Sequence, residues 1–376
     1  MSPSLPRALH PGAWWGWAIA MAVAVSMTTN PFLLGLALAA TALVVASRRG
    51  SSPWARAFRL YLWLGLAIIV LRLVLHVVVG LKFGSIVVLP LPEVTLPSWA
   101  AGIQIGGTVY LEGLLGAAAQ GLRLAVMIAC IGAANALANP KRLLRALPAA
   151  LHEIGSAVVV SVSVAPQLAE SVQRVRRARL LRGDTSRGIR AVPAIALPVL
   201  EDTLDRSLLL AAAMDSRGYG RVTAAPRAQR LVTATVTFAG LLACAVGIYG
   251  VLDASTPALL GTPLLAAGLA LSAAGLWLGG RHVPRSTYRP DPWRGAEWLT
   301  VAGGACAAAA LVITARTSPD SLTIPLTPLA VPALPLVAVV GLLLAALPAY
   351  LTPEPPRPAS RVPVRGARHP EVSSRG

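Results

Sequence analysis

The sequence is poor in acids, lysine, aromatics and cysteine, and each shortage excludes something. The three cysteines, Cys130, Cys244 and Cys306, each stand alone in an apolar run. They form neither a disulfide framework nor a metal cluster and read as small hydrophobes. Lysine occurs only at Lys82 and Lys141, after Leu81 and Pro140. A phosphate-binding loop needs Gly-Lys-Ser/Thr, so any ATP that drives this protein is hydrolysed by another chain. The five histidines, His10, His76, His152, His282 and His369, are scattered. No HExxH and no nucleophile elbow with partners occurs, so catalysis finds no constellation. Charged residues make up 13% of the chain, about half the share of a soluble domain. The net charge of +18 suggests nucleic acid at first sight. With 5% aromatics and no basic stripe interleaved with them, that partner is excluded.

What is present is apolar. The 376 residues are 55% hydrophobic, with a mean hydropathy of +0.67. The composition predicts an all-α polytopic membrane protein. A spanning helix needs about 20 apolar residues. About eight segments reach or approach that length, near 13–29, 31–47, 60–81, 110–137, 231–252, 257–280, 297–315 and 328–350. The start, "LPRALHPGAWWGWAIAMAVAVSM", reads as half of a two-span hairpin rather than a cleaved leader, because a second apolar run follows Asn30–Pro31 at once. Trp14, Trp15 and Trp17 suit an interfacial aromatic anchor. The Pro- and Gly-broken stretch 82–109 reads as an outer loop.

Arginine sets the sidedness. Arg48, Arg49, Arg56 and Arg59 follow the second span, and Arg281, Arg285, Arg289 and Arg294 the sixth. Arg357, Arg361, Arg365 and Arg368 follow the eighth. The densest arginine lies in 138–230, after the fourth span. Eight spans put all of these on one side, which satisfies the positive-inside rule with both termini cytoplasmic in a plasma-membrane protein. The organisation is then 1–137 N-terminal spans, 138–230 cytoplasmic region, 231–351 C-terminal spans, and 352–376 a Pro/Arg-rich disordered tail.

Within 138–230, prolines and charge argue against further crossings by 147–168 and 189–214. They read as amphipathic helices at or under the cytoplasmic membrane face, with a re-entrant pair as the alternative. One runs from about Gln167 to Arg182, with Leu168, Val172, Val175, Ala178 and Leu181 as its stripe. The other runs from Pro198 to Arg217, with Leu200, Leu204, Leu208 and Ala211. Glu201, Asp202 and Asp205 fall in its early turns, where the helix dipole favours acid. Both helices stop at Arg-Gly. Gly183 and Gly218 suit left-handed C-terminal caps, and Arg182 and Arg217 fall in the last turn. Two readings stay open: ordinary capping, or a pair of arginine forks held at rigid tips for docking on a soluble partner.

"RLLRALPAALHEIGSAVVVSVSVAPQLAESVQRVRRARLLRG", followed by "IALPVLEDTLDRSLLLAAAMDSRGYG", resembles the T component of energy-coupling factor transporters. This membrane scaffold family includes the cobalt-transport permease subunit and carries two Ala-Arg-Gly type motifs on cytoplasmic coupling helices. The resemblance covers roughly 10–252. It assigns Ala178, Arg182 and Gly183 to the first motif, and Ala213, Arg217 and Gly218 to the second. It implies a non-catalytic subunit without a cofactor or metal of its own. Its partners would be two ATP-binding subunits and a small substrate-binding membrane subunit, and its cargo a vitamin or a transition-metal ion such as cobalt or nickel. The residues beyond about 255 exceed the family's usual length and read as an added helical module, dispensable for ATPase docking.

Arg72 and His76 lie one turn apart in the third span, and Arg123 lies in the fourth. Intramembrane charge marks a possible functional site; the simpler reading has these groups facing the bundle interior beside Gln120 or Glu112. A self-contained secondary transporter and a polytopic enzyme are the competing classes. The first lacks an internal repeat and the second a nucleophile or ligand set.

Overall fold

The computed structural model describes residues 7–50, 58–79, 83–95, 104–146, 152–183, 192–217, 226–253, 256–281 and 291–354. The tail expected to be disordered and the Arg281–Arg294 loop therefore fall mostly outside the described residues. The helices are α1 (Pro11–Ser26), α2 (Pro31–Arg48), α3 (Phe58–Val79), α4 (Leu111–Leu137), α5 (Pro140–Arg145), α6 (His152–Leu181), α7 (Val192–Ser216), α8 (Arg227–Leu252), α9 (Thr262–Arg281), α10 (Gly295–Thr317), α11 (Leu336–Leu344) and α12 (Pro348–Leu351). Between α3 and α4, strands β1 (Val87–Leu89), β2 (Glu93–Thr95), β3 (Gln104–Gly106) and β4 (Val109–Tyr110) pair as nested antiparallel ladders, β1 with β4 and β2 with β3.

The chain is an all-α polytopic membrane protein. Among the described residues six helices are long and apolar enough to cross a membrane: α2, α3, α4, α8, α9 and α10. The first and last expected spans fold shorter. α1 has 16 residues, about 24 Å of helix against a hydrocarbon core of about 30 Å. Residues 328–335 are not helical, with a turn at Thr327–Pro328 and irregular chain after Leu329, and the helical part of the last segment is Leu336–Leu351. Neither α6 nor α7 is among the six.

The helices fall into two units, with the boundary inside α5. One holds α1–α4, the strands and α10–α12; the other holds α6–α9. In the first unit α1 and α2 begin alike, a capping side chain followed by proline. His10 Nδ1 accepts from Gly12 N at 3.1 Å, and Asn30 Oδ1 accepts from Phe32 N at 3.1 Å. A cap satisfies an otherwise orphan amide, and proline at the first helical position costs no bond.

The core is formed by the inner faces of α1, α2, α4, α10 and α11, with Trp17, Met21, Leu33, Leu34, Leu311 and Leu342 among its largest buried side chains. Trp14 and Trp17 are not interfacial anchors. Their three-residue spacing puts both on the inward face of α1, where they meet edge to face at 6.4 Å. The Trp17 indole donates to the Ala345 carbonyl at 2.9 Å.

The segment 291–354 is part of this first unit and not an appendage. Asn30 Nδ2 donates to the carbonyls of Ser321 (2.9 Å) and Ala333 (2.8 Å). Thr28 Oγ1 donates to the Leu322 carbonyl at 2.7 Å, which also accepts from the amides of Thr29 and Asn30. Buried Glu297 accepts from Arg7 at 2.6 Å and caps its own helix through Arg294 N at 3.0 Å. A side chain at Gly304 would strike the backbone of Trp17, so α1 and α10 touch almost backbone to backbone. This stretch is thus packed into the first unit: a buried α1–α2 turn needs polar partners, and 321–333 supplies them.

In the second unit α8 and α9 form a tight hairpin. Gly240 lies against Ser272 and Gly268 against Cys244, with no room for a Cβ at either. Their outer faces, with Leu231, Phe238, Leu241 and Leu269, are exposed, as lipid-facing surfaces are. The stretch read as an outer loop contains the β-ladders, which its β-branched residues support and its prolines concealed.

Candidate functional site

The helices carrying the two Arg-Gly ends start earlier than their prolines suggest. α6 runs through Pro166 and α7 through Pro198. Each internal proline removes one helical bond, yet both helices continue. Asp202 therefore lies three turns into α7, not in its first turns.

There it joins the two helices. Its carboxylate accepts from the Ser171 hydroxyl of α6 at 2.7 Å, from Arg174 Nη2 at 3.1 Å, and from Arg206 Nε of its own helix at 3.0 Å. Ser171 is buried. The Ser171 bond first, and then Arg206 and Arg174, hold the Asp202 carboxyl below the usual carboxylate range. The sequence marked Asp202 only as dipole-favoured acid; its four-residue spacing to Arg206 was the available hint of a pair.

Beside this latch the two helices line a groove of about 440 Å³. α6 contributes Val160, Val164 and Leu168 on the N-terminal side of Ser171. α7 contributes Ser207, Leu210 and Met214 on the C-terminal side of Asp202. One groove can contain both runs only if the helices are antiparallel. The Arg-Gly ends consequently point in opposite directions. Arg182 lies eleven residues beyond Ser171, about 16 Å, and Arg217 fifteen beyond Asp202, about 22 Å the other way.

The tips are built as the sequence indicates where they are described. The Arg182 amide donates to the Ala178 carbonyl at 3.2 Å and the Gly183 amide to the Leu180 carbonyl at 3.1 Å. The four-residue spacing of Ala178 and Arg182 is thus one helical turn. Gly183 has φ +81°, the left-handed conformation that glycine adopts without strain. In the second tip the Ser216 hydroxyl donates to the Ala213 carbonyl at 3.0 Å, and the Arg217 amide to Met214 O at 3.1 Å. Gly218 lies outside the described residues. Arg182 and Arg217 are both exposed, and neither makes a side-chain bond or ion pair among the described residues.

The expected apolar stripes are only partly covered. Leu168 lines the groove and Val172 and Val175 are half-buried, whereas Leu181 is 89% exposed. On α7, Leu200, Leu204 and Leu208 face away from α6 and are 58–69% exposed. Val199 is buried, and Leu210, Met214 and Ala211, the last a member of the expected stripe, line the groove.

The cobalt transport protein family CbiQ matches residues 3–227, a stretch that includes α6, α7 and both Arg-Gly ends. The chain belongs to the CbiQ family. This is the family of the T components of energy-coupling factor transporters, so the protein is a membrane transport component that works in a complex. No curated protein matches the chain. The CbiQ match stops where α8 begins, so α8, α9 and the segment 291–354 lie beyond it. No group of three His, Cys, Asp or Glu among the described residues is placed to hold a metal ion.

The intramembrane polar residues lie on another pair, α3 and α4. Arg72 donates to Gln120 Oε1, and His76 lies against Gly113. Arg123 is half-buried and has no ion pair or side-chain bond among the described residues. Glu112 is turned to the strand arm instead, accepting from Ser85 N at 2.8 Å and Ser85 Oγ at 2.7 Å.

Asp202→Asn keeps the Ser171 contact and removes the charge facing Arg174 and Arg206. Spin labels at Val164 and Leu210 should then show a broader distance distribution at unchanged helix content. In the wild type the same broadening should appear only in acid. A depressed folded-state pKa contributes stability above the unfolded value, about 3.9, and loses it as pH falls through the folded value. Broadening between pH 6 and 8 would count against the latch.

Proposed function

We propose that this CbiQ-family protein is the coupling subunit of an energy-coupling factor importer. It links two ATP-hydrolysing subunits to a small substrate-binding membrane subunit that takes up a vitamin or a transition-metal ion such as cobalt or nickel. The observation that carries this reading is the antiparallel α6–α7 pair with an exposed arginine at each opposite end. Two tips facing apart suit two soluble partners, one at each. An arginine fork on a rigid helix end suits charge-assisted bonds to carbonyls or carboxylates in a groove of each ATPase subunit. The exposed Leu200, Leu204 and Leu208 stripe supplies an apolar face for the membrane surface or the substrate-binding subunit. Closure of the ATPase pair moves the two tips relative to one another, and the latched helices pass that motion to the membrane side. No phosphate-binding loop occurs in the chain, which fits ATP hydrolysis by other chains.

On this reading α6 and α7 lie on the cytoplasmic side together with both termini. Single cysteines at Ser161 and Ser216, in a background without Cys130, Cys244 and Cys306, test it. An impermeant thiol reagent applied to intact cells should label neither. In inverted vesicles it should label both, and co-expressed ATPase subunits should protect Ser216→Cys, beside the Arg217 tip. Labelling from outside would refute the cytoplasmic placement, and unprotected Ser216→Cys would refute docking at that tip.

A further inference from the structure

Two arginines lie along the α3–α4 pair, Arg72 exposed and Arg123 half-buried, and among the described residues neither has an acid to meet it. The helices run antiparallel: Gly65 lies against Ala125, Ile69 against Gly121 and His76 against Gly113. Arg123 is twelve residues from Leu111 and fourteen from Leu137, close to the midpoint of α4. It follows Gln120 by three residues, so it shares that side of the helix. Arg72 reaches across the seam to the neutral Gln120. A neutral amide satisfies one guanidinium donor and none of its charge. The described acid of α4, Glu112, lies at the helix start and is occupied by Ser85 and Ile86.

Snorkelling does not relieve Arg72. Seven residues separate it from the C-terminal end of α3. Its Cα–Cβ bond tilts toward the helix N-terminus, away from that nearer end and toward mid-membrane. The surface around it is bare. Only Phe58 and Gly65 of α3 are buried, and Leu75 (50%) and Leu124 (40%) beside the two arginines are exposed. Intramembrane arginines face a bundle interior or a cavity and pair with charges or backbone carbonyls; among the described residues Arg72 has the neutral Gln120 and Arg123 has no side-chain partner.

We infer that the α3–α4 face around Arg72, Gln120 and Arg123 is a docking surface for a membrane-spanning helix of another subunit, which carries an Asp or Glu near its middle. Charge complementarity selects that occupant. A hydrocarbon chain leaves two cations unmatched, and a lipid headgroup does not reach the midpoint of α4. A carboxylate on a neighbouring helix meets one fork directly and lies within reach of the other. Leu75 and Leu124 supply apolar contact around the pair. The inference rests on α3 and α4 crossing the membrane and on the chain working beside another membrane subunit. It does not depend on the ATPase subunits.

The probe is a photoactivatable residue at Leu124 in the full chain, irradiated in its native membrane. The expected product joins position 124 to a membrane-spanning segment that has an Asp or Glu within one helical turn of the joined residue. Arg72→Gln combined with Arg123→Gln should lower the yield at least tenfold, and Arg123→Lys should retain most of it. The double Gln variant, purified alone, should melt no lower than wild type, because a purely internal role for these charges predicts a loss. Crosslinks to lipid alone, a joined segment without a carboxylate, or an unchanged yield in the double variant would overturn the inference. Should the double variant be missing from the membrane, the identity of the joined segment in the wild-type background decides by itself. ATPase co-purification, read on the same preparations, reports separately on the coupling role.

Discussion

Replacing both Arg182 and Arg217 by Ala is expected to leave the protein in the membrane at near-normal abundance and to abolish transport. The helix ends do not need these side chains. α6 closes through the backbone amides of Arg182 and Gly183 and the left-handed Gly183, all of which survive in Ala. A cation beside a helix C-terminus is worth about 0.3–1 kcal/mol. Truncating one partner of a buried, charge-assisted contact costs about 2–5 kcal/mol, roughly 30- to several-thousand-fold in affinity. The two scales are far enough apart to decide between capping and docking. Either the ATPase subunits are lost, or they stay bound and hydrolyse ATP without uptake. Arg→Lys should rescue only in part, since a point charge does not reproduce the planar fork. Wild-type uptake by the double Ala variant, with matching partner subunits present, would make the two ends ordinary caps.

Truncation after residue 254 is expected to remove the protein from the membrane altogether. It would strip the acceptors from four donors of α1 and the α1–α2 turn: Trp17 Nε1, Thr28 Oγ1, the Thr29 amide and Asn30 Nδ2. A buried polar group left unsatisfied costs about 1–3 kcal/mol, so four come to about 4–12 kcal/mol, comparable to the whole stability of a typical domain, about 5–15 kcal/mol. Lipid offers no replacement partner. The cut also uncovers the face of α1 that Gly304 and Leu311 pack against. Normal membrane levels of the truncated chain would show that 291–354 contributes little.

The parts legible in the sequence were those with local causes. The apolar runs located α2–α4 and α8–α10, and the Arg-Gly pairs marked the ends of α6 and α7, because hydropathy and capping act within one segment. The prolines misled twice. Pro166 and Pro198 were read as interruptions, yet each costs one backbone bond that a long helix tolerates. The strand arm hid behind the prolines of 82–109. The role of 291–354 was illegible, since its bonds to Thr28 and Asn30 span about 300 residues and backbone carbonyls leave no sequence signature. Trp14 and Trp17 were misplaced for a related reason: their spacing fixes a shared face but not what covers it. The Asp202 latch depends on Ser171, 31 residues away, a partner that periodicity cannot name. The exposed arginines at the tips were legible as residues, and their opposite directions were not.

The most direct measurement is the native mass of the complex purified from cells that make this chain with its partner ATPase and substrate-binding subunits. The coupling account predicts two nucleotide-binding chains per copy of this protein, and none retained when Arg182 and Arg217 are replaced together by Asp. A complex that keeps both ATPase chains in that charge-reversed variant, or uptake by the chain with no ATPase present, would contradict it.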